Sequence, residues 1–381
     1  MKTYRANLGG GIDGIVMRDE SIPTPGPHQM LVAVRAVSLN ARELSILQGY
    51  YPLPVKPDLI PVSDGAGEVV AIGDGVTRVK VGDRIAAAIF PRWIDGPFGW
   101  DFAAQLGGSL DGMLSEYALL PEDAAVHIPP HLSFEEAATL PCAAVTAWNA
   151  ISGGAPLLPG QTALTLGSGG VSLFALQLAK LFGARVITTT SSDSKAKRLL
   201  ELGADAVVDY RKTPDWHAKV RELNGGRGVN VIVEVGGAGT MEQSLKAVAF
   251  SGQISQVGWL DKSASSISIA ALSATVTTVR RIAVGSRAQF LAMNNAIAMH
   301  RLKPVIDSVF PFEDALEAFR HYARGNSFGK IVIRHDGEAC RSLITFLSSA
   351  TNPDGAATIV GETDYPAAPW RGHGPERPDL T

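Results

Sequence analysis

The chain has 381 residues, which suits two ordinary domains with a remainder. It is 46% hydrophobic and 19% charged with a net charge of -3, so it lacks the basic excess that draws nucleic acid or anionic lipid, and a small-molecule partner is expected. Cys142 and Cys340 are its only cysteines, which excludes a disulfide framework and fits a reducing cytoplasm; neither a signal core nor a run of about 18 apolar residues is present, so secretion and membrane spanning are not expected.

The first 126 residues are rich in glycine and proline, with short β-branched runs at 30–37 (MLVAVRAV) and 67–72 (GEVVAI), and read as an irregular β-rich domain. From residue 127 strand-like and helix-like runs alternate. Strands are expected at 162–166, 185–190, 206–208, 229–234 and 253–257, and helices at 171–182, 194–202, 216–223 and 241–248. Repeated β-α units imply a doubly wound parallel sheet, hence an α/β fold. Gly183 and Gly203 follow two of the helices directly, where a left-handed residue is cheapest for glycine. After a helix at 288–300, the segments 305–309, 313–324 and 331–333 read as a return to the first domain. The expected division is therefore 1–126 with 288–336, then 127–287, then an extension at 337–381 of unassigned role, which carries five prolines and one short helical pattern at 340–347.

The chemistry is concentrated at 164–173 (LTLGSGGVSL). A strand ending at Leu166 and a helix starting near Val171 leave a tight loop of Gly167, Ser168, Gly169 and Gly170 between them. Such a loop lets the main chain approach a pyrophosphate, whose charge is met by free N–H groups and the positive helix end. Ser172 takes the place of the third glycine of the usual G-x-G-x-x-G pattern and is small enough for close helix packing. The next strand ends in hydroxyls at Thr190 and Ser191 rather than a carboxylate. Ser192 and Lys195, with Arg198 farther off, can then receive a 2′-phosphate, so NADP is preferred over NAD. In the plainer reading Ser192 caps the next helix and Lys195 lies on its solvated face. Asp193 keeps NAD open as the alternative.

Four segments together carry a family resemblance: 60–76 (IPVSDGAGEVVAIGDGV), 81–84 (VGDR), 140–148 (LPCAAVTAW) and the glycine turn. Across residues 1–335 the chain resembles the medium-chain dehydrogenase/reductase superfamily, especially its zinc-independent quinone oxidoreductase-like branch. The resemblance implies a GroES-like catalytic domain, a central Rossmann domain, an active site between them, a nicotinamide hydride donor and a homodimer formed through the cofactor domains. It places Thr146 near the nicotinamide, Tyr210 near the adenosine phosphate, Gly236 and Gly258 at strand ends under the cofactor, and Val284 and Ser286 in the last cofactor-facing loop.

Zinc-dependent members carry a cysteine, a His-Glu pair and a further ligand where this chain has Asn40, Ser63-Asp64 and Cys142. A catalytic zinc needs about three N, S or carboxylate ligands, so no zinc is expected, and Cys142 reads as a small buried residue near the domain junction. Among eight histidines only His127 and His131 stand four apart, and Pro129-Pro130 between them forbids a helix.

Without a Lewis acid, charge arriving on a carbonyl oxygen must be met by hydrogen-bond donors or water. Conjugated acceptors need the least help. The expected reaction is hydride transfer from NADPH to a small apolar quinone or α,β-unsaturated carbonyl, with Asn40, Tyr51 and Asp64 as the candidate catalytic residues. Two alternatives remain at this stage: a metal-independent carbonyl reductase or alcohol dehydrogenase, and an NADPH-binding regulatory or structural protein without turnover. Trp93 and Trp100, in the loop 90–108, suggest an aromatic-lined pocket.

Overall fold

The structure is a computed structural model that describes residues 1–258 and 269–335. The expected features at 337–381, including the helical pattern at 340–347, lie outside the described residues. The chain opens with an antiparallel pair, β1 (Lys2–Ala6) and β2 (Ile15–Asp19). It continues through β3 (Gln29–Ser38), α1 (Ala41–Leu47), β4 (Asp64–Ile72), β5 (Arg84–Ala87), β6 (Tyr117–Pro121) and β7 (Ala125–His127). β3 is central: it pairs with β4 and β6, and both its faces are covered, which is why its run reads as continuously apolar rather than alternating. Two irregularities in the β3–β4 register bend this sheet. At Gly67 a Cβ would lie 2.2 Å from the Ala33 carbonyl oxygen, so only glycine allows the strands to approach there.

After α2 (Phe134–Ala138) and α3 (Val145–Ser152) the alternating region begins. It comprises β8 (Thr162–Leu166), α4 (Gly170–Leu181), β9 (Arg185–Thr190), α5 (Asp193–Glu201), β10 (Ala206–Asp209) and α6 (Trp216–Leu223). Then follow β11 (Val229–Glu234), α7 (Ala238–Ala247), β12 (Val248–Gln256), α8 (Ile269–Ser273), β13 (Thr278–Arg281) and α9 (Arg287–His300). The six strands form one parallel sheet in the order β10-β9-β8-β11-β12-β13. The order reverses between β8 and β11, and the crevice beyond the carboxyl ends of strands at such a point is where open α/β sheets bind ligands. Gly183 (φ 71°) and Gly203 (φ 98°) end α4 and α5 in the left-handed conformation read from the sequence. The last elements, β14 (Ile306–Pro311), α10 (Ala315–Ala323) and β15 (Lys330–Arg334), add strands to the N-terminal sheet, β15 lying antiparallel to β3.

One surface clasp gives this architecture a pH dependence. The Glu122 carboxylate accepts from the Thr77 and Arg78 main-chain N–H groups (2.8 and 3.0 Å) and meets His28 Nδ1 at 2.9 Å. These bonds, the one from Thr77 first, hold its pKa down at about 2 against an ordinary 4.5. The contribution is therefore present above pH 4.5 and lost as the pH falls towards 2. Glu122→Gln is expected to lower the thermal midpoint at neutral pH and to flatten its decline across that acid window; a decline as steep as the wild type's would show that other carboxylates govern it.

Candidate functional site

The cofactor turn is built from both sides. Gly167, at φ 73°, donates its N–H to the Thr189 carbonyl (3.0 Å) and meets Thr189 Oγ1 at 3.2 Å, which ties the turn to β9. Ser172 Oγ donates to the Leu166 carbonyl at 2.6 Å and closes the turn from beneath, which explains why a small hydroxyl residue suits the third glycine position. A Cβ on Gly167 or Gly169 would meet nothing within 4 Å, so the space over the turn is open. It lies at the N-terminus of the twelve-residue α4, whose first N–H groups have no helical acceptor. Gly170 faces the other way: a Cβ there would sit 2.6 Å from Lys330 Cδ. The Gly329 N–H also donates to the Ser168 carbonyl at 3.0 Å, so the turn is stitched to the start of β15. Val171, the next residue of α4, packs against the main core.

Across from the turn stands a buried polar cluster. Lys330 Nζ donates to the Leu39 carbonyl (2.6 Å) and to Asn40 Oδ1 (2.5 Å), and lies 3.9 Å from Asp64 Oδ2. Asp64 accepts from Ser63 Oγ at 2.9 Å and from the Cys142 N–H at 3.1 Å. Burial pushes its pKa up to about 6; Lys330 opposes the rise, Glu43 adds to it, and bonds from Asn40 and Ser63 hold it back. Glu43, one turn into α1, accepts from the Asn40 N–H (2.8 Å) and from Ser63 Oγ (3.1 Å). Arg42 is anchored on Gln105 Oε1 at 2.8 Å and reaches Tyr51, whose hydroxyl accepts from its Nε at 3.4 Å and whose ring lies 5.0 Å beneath it. Arg42, Lys330, Glu43 and Asp64 give the cluster equal numbers of cationic and acidic side chains. Burial raises the Cys142 thiol pKa, with Asp64 adding to the effect.

An apolar wall joins this cluster to the segment between β13 and α9 that contains Val284. Ile89, Phe90 and Trp93 are buried together, with Leu53, Phe98, Phe102, Cys142 and Val284 packed on them. Phe90, Trp93 and Phe98 make mutual edge contacts at centroid distances of 4.9–6.1 Å, and Trp93 satisfies its own N–H on the Gly96 carbonyl. Trp100 corrects the expectation: it is 77% exposed and belongs to the surface.

Beyond β9, Ser192 Oγ caps α5 by accepting the Lys195 N–H at 3.4 Å, as in the plainer reading of that residue. Lys195 itself lies in the first turn, half-buried. Asp193 is taken up by Lys212, whose Nζ donates to its two oxygens at 2.5 and 2.7 Å. Tyr210 follows β10, with its N–H on the Thr190 carbonyl and its side chain partly exposed. Gly236 and Gly258 meet close-packing demands of their own. The Gly236 N–H bonds Glu234 Oε1 at 2.8 Å and a Cβ there would strike Thr240, while at Gly258 a Cβ would fall 1.8 Å from the Val235 carbonyl oxygen. Ser286 Oγ caps α9 by accepting from the Gln289 N–H at 3.2 Å, and Thr146 is buried on α3.

Comparison with known proteins places this arrangement. Residues 26–130 match the alcohol dehydrogenase GroES-like domain family and residues 170–299 the zinc-binding dehydrogenase family. A zinc-type alcohol dehydrogenase-like protein of Schizosaccharomyces pombe is 38% identical over 334 residues, covering 86% of this chain and 96% of that one. The chain belongs to the medium-chain dehydrogenase/reductase superfamily. Human quinone oxidoreductase is 26% identical over 347 residues, covering 87% of this chain and 97% of its own. Among solved structures, a putative alcohol dehydrogenase from Sinorhizobium meliloti superposes with a TM-score of 0.80 at 38% identity, covering 88% of this chain and 99% of that one. A mycobacterial protein solved in complex with NADPH superposes with a TM-score of 0.75 at 26% identity, covering 88% of this chain and 99% of that one. The chain is thus an oxidoreductase of a superfamily that binds nicotinamide cofactors, and among the described residues no helix is long and apolar enough to cross a membrane.

Within this superfamily member, sequence reasoning missed Lys330, Glu43, Arg42 and Asn149. Lys330 stands after Gly329 at the head of the apolar run 331–333, and a lone lysine there carries no sign of the buried cluster it joins. α1 escaped notice because its buried positions include Arg42 and Glu43, so it shows little apolar periodicity.

Proposed function

We propose that this oxidoreductase transfers hydride from NADPH to a quinone or an α,β-unsaturated carbonyl without a bound zinc ion. The observation that carries the reading is the donor set opposite the turn. At the positions of the zinc ligands, Asn40 and Asp64 are engaged with Lys330, both Asp64 oxygens already accept hydrogen bonds, and the Cys142 thiol is held protonated by burial. Among the described residues no group of three or more His, Cys, Asp or Glu side chains could hold a metal ion. These residues do not fit a catalytic zinc site.

They do fit a dinucleotide. The open space over Gly167 and Gly169, with the α4 N-terminus behind it, suits a pyrophosphate. When bound, reduced nicotinamide supplies a hydride. In a conjugated acceptor the hydride adds to the β-carbon, the C=C electron pair moves toward oxygen, and a proton completes the product. Tyr51 accepts from Arg42 through its oxygen, so its own O–H remains to donate to the substrate oxygen. The wall of Phe90, Trp93, Phe98 and Val284 gives a flat apolar acceptor a surface to lie on and excludes water. NADPH oxidation followed by absorbance is expected with quinones and enones and not with saturated aldehydes; turnover of saturated carbonyls alone would make the protein a carbonyl reductase instead.

The choice of NADPH is supported by Lys195 in the first turn of α5 and by Lys212, which offsets the charge of Asp193 that would otherwise repel a 2′-phosphate. Lys195→Ala is expected to raise KM for NADPH roughly tenfold while leaving NADH nearly unchanged, the loss of one charge-assisted contact. Equal losses with both cofactors would remove Lys195 from the phosphate site.

A further inference from the structure

The segment between β13 and α9 is held in a conformation that its own sequence disfavours. Val284 has φ 59°, a left-handed backbone that is strained for a β-branched residue and persists only where its surroundings impose it. One face of α3 imposes it. Val145 Cγ1 lies 2.7 Å from where a Cβ on Gly285 would stand, so only glycine permits that approach. One helical turn further along α3, Asn149 Nδ2 donates to the Val284 carbonyl at 2.7 Å.

An amide has a donor end and an acceptor end, and Arg280 decides which of them faces Val284. Its guanidinium, which can only donate, bonds Asn149 Oδ1 at 3.0 Å and also the Asn149 main-chain carbonyl, leaving Nδ2 for Val284. Arg280 lies on β13 with its Nε buried and unpaired, it has no carboxylate partner among the described residues, and burial lowers its pKa. Asn149 is itself buried, and its amide is committed on both sides. In a trans peptide the N–H of one residue points opposite to the carbonyl before it. With the Val284 carbonyl turned onto α3, the Gly285 N–H faces away from that helix, and it has no acceptor among the described residues. On its other flank the same segment is tied to the first domain, the Arg287 N–H donating to the Trp93 carbonyl at 2.9 Å.

We infer that Asn149, oriented by Arg280, is a positioning residue that holds Val284 left-handed and so turns the Gly285 N–H into the cleft as a hydrogen-bond donor beside the site of hydride transfer. The inference rests on the reading of that cleft as a nicotinamide site. Neither Asn149 nor Arg280 need touch cofactor or substrate; they act through Val284, whose side chain is part of the apolar wall.

Asn149→Asp tests this most sharply. It keeps the size of the side chain and its bond to Arg280, but presents an acceptor to the Val284 carbonyl. The expected result is an unchanged thermal midpoint with kcat for NADPH oxidation reduced about tenfold, and with KM for NADPH moving less. Asn149→Ala, which removes the donor without adding charge, is expected to lose kcat in the same way. Amide hydrogen exchange across 282–286 in the cofactor-free protein, faster in both single variants, gives a readout independent of turnover. Wild-type kcat and exchange in the single variants would overturn the assignment. Should the wild-type protein oxidise no nicotinamide cofactor at all, the functional reading falls, and the exchange measurement still decides whether Asn149 holds the loop.

Discussion

Gly169→Val is expected to abolish dinucleotide binding while leaving the protein folded. Gly169 is the N-cap of α4 with φ -75° and ψ 171°, a region that valine occupies without strain, and a Cβ there meets nothing within 4 Å. The folded chain therefore has room for the side chain, and only the loss of a favourable N-cap residue lowers stability, by up to about 1 kcal/mol. The space it fills lies over the α4 N-terminus and is the cradle proposed for the pyrophosphate. A branched side chain there holds the diphosphate off the helix end, and a loss of at least roughly 100-fold in NADPH affinity, about 2.7 kcal/mol, is expected. Fluorescence titration with NADPH, alongside a melting curve, separates the two effects. Undiminished affinity in a normally melting variant would mean that the diphosphate does not lie over this turn. Gly170→Val makes a poorer probe, because its Cβ strikes Lys330 and disturbs the polar cluster as well.

Lys330→Met should produce the largest loss of stability of any single change at the site. The methionine stem has similar length, but the Leu39 carbonyl and Asn40 Oδ1 lose their donor, and Asp64 loses the cation that most opposes its rise in pKa. Breaking a buried charged interaction of this kind costs about 3 kcal/mol. The sign of its pH dependence follows from Asp64. The folded pKa of about 6 stands above the ordinary 3.8, so the native state binds that proton more tightly than the unfolded chain, and stability declines as pH rises from 3.8 through 6. Removing Lys330 extends the decline to higher pH. The variant is expected to melt closest to the wild type near pH 5 and to fall furthest below it near pH 8. Adding Asp64→Asn is expected to recover most of the difference at the higher pH. A deficit independent of pH and unmoved by Asp64→Asn would mean that Lys330 acts through packing alone.

Much of the alternating half could be read from the sequence because its strands are parallel and covered on both faces, so each shows as a short run rich in Val, Ile, Leu and Thr between helical patterns. Thr162–Leu166, Arg185–Thr190 and Val229–Glu234 have the bounds expected of them. β13 was not legible: at the sheet edge Thr278–Arg281 carries two arginines and one valine, and nothing apolar distinguishes it from a loop. The glycine turn announced itself because Gly167 is left-handed and Gly170 lies against Lys330, and both positions favour glycine. The cluster opposite it did not, because its logic is electrostatic and spans the chain. Asn40, Asp64, Cys142 and Lys330 are brought together only when β15 returns to pair with β3. Family likeness pointed to the first three, and nothing in the sequence singled out the fourth, a lone lysine ahead of an apolar run. The same holds for Asn149, whose meaning depends on a left-handed valine 135 residues later in the chain.

The most direct test of zinc-free hydride transfer is NADPH oxidation with a quinone by protein dialysed against a strong chelator, with the metal content of the same sample measured. Turnover undiminished in metal-free protein and unchanged on adding zinc is the predicted result. Activity that vanishes with the metal and returns with stoichiometric zinc would contradict it.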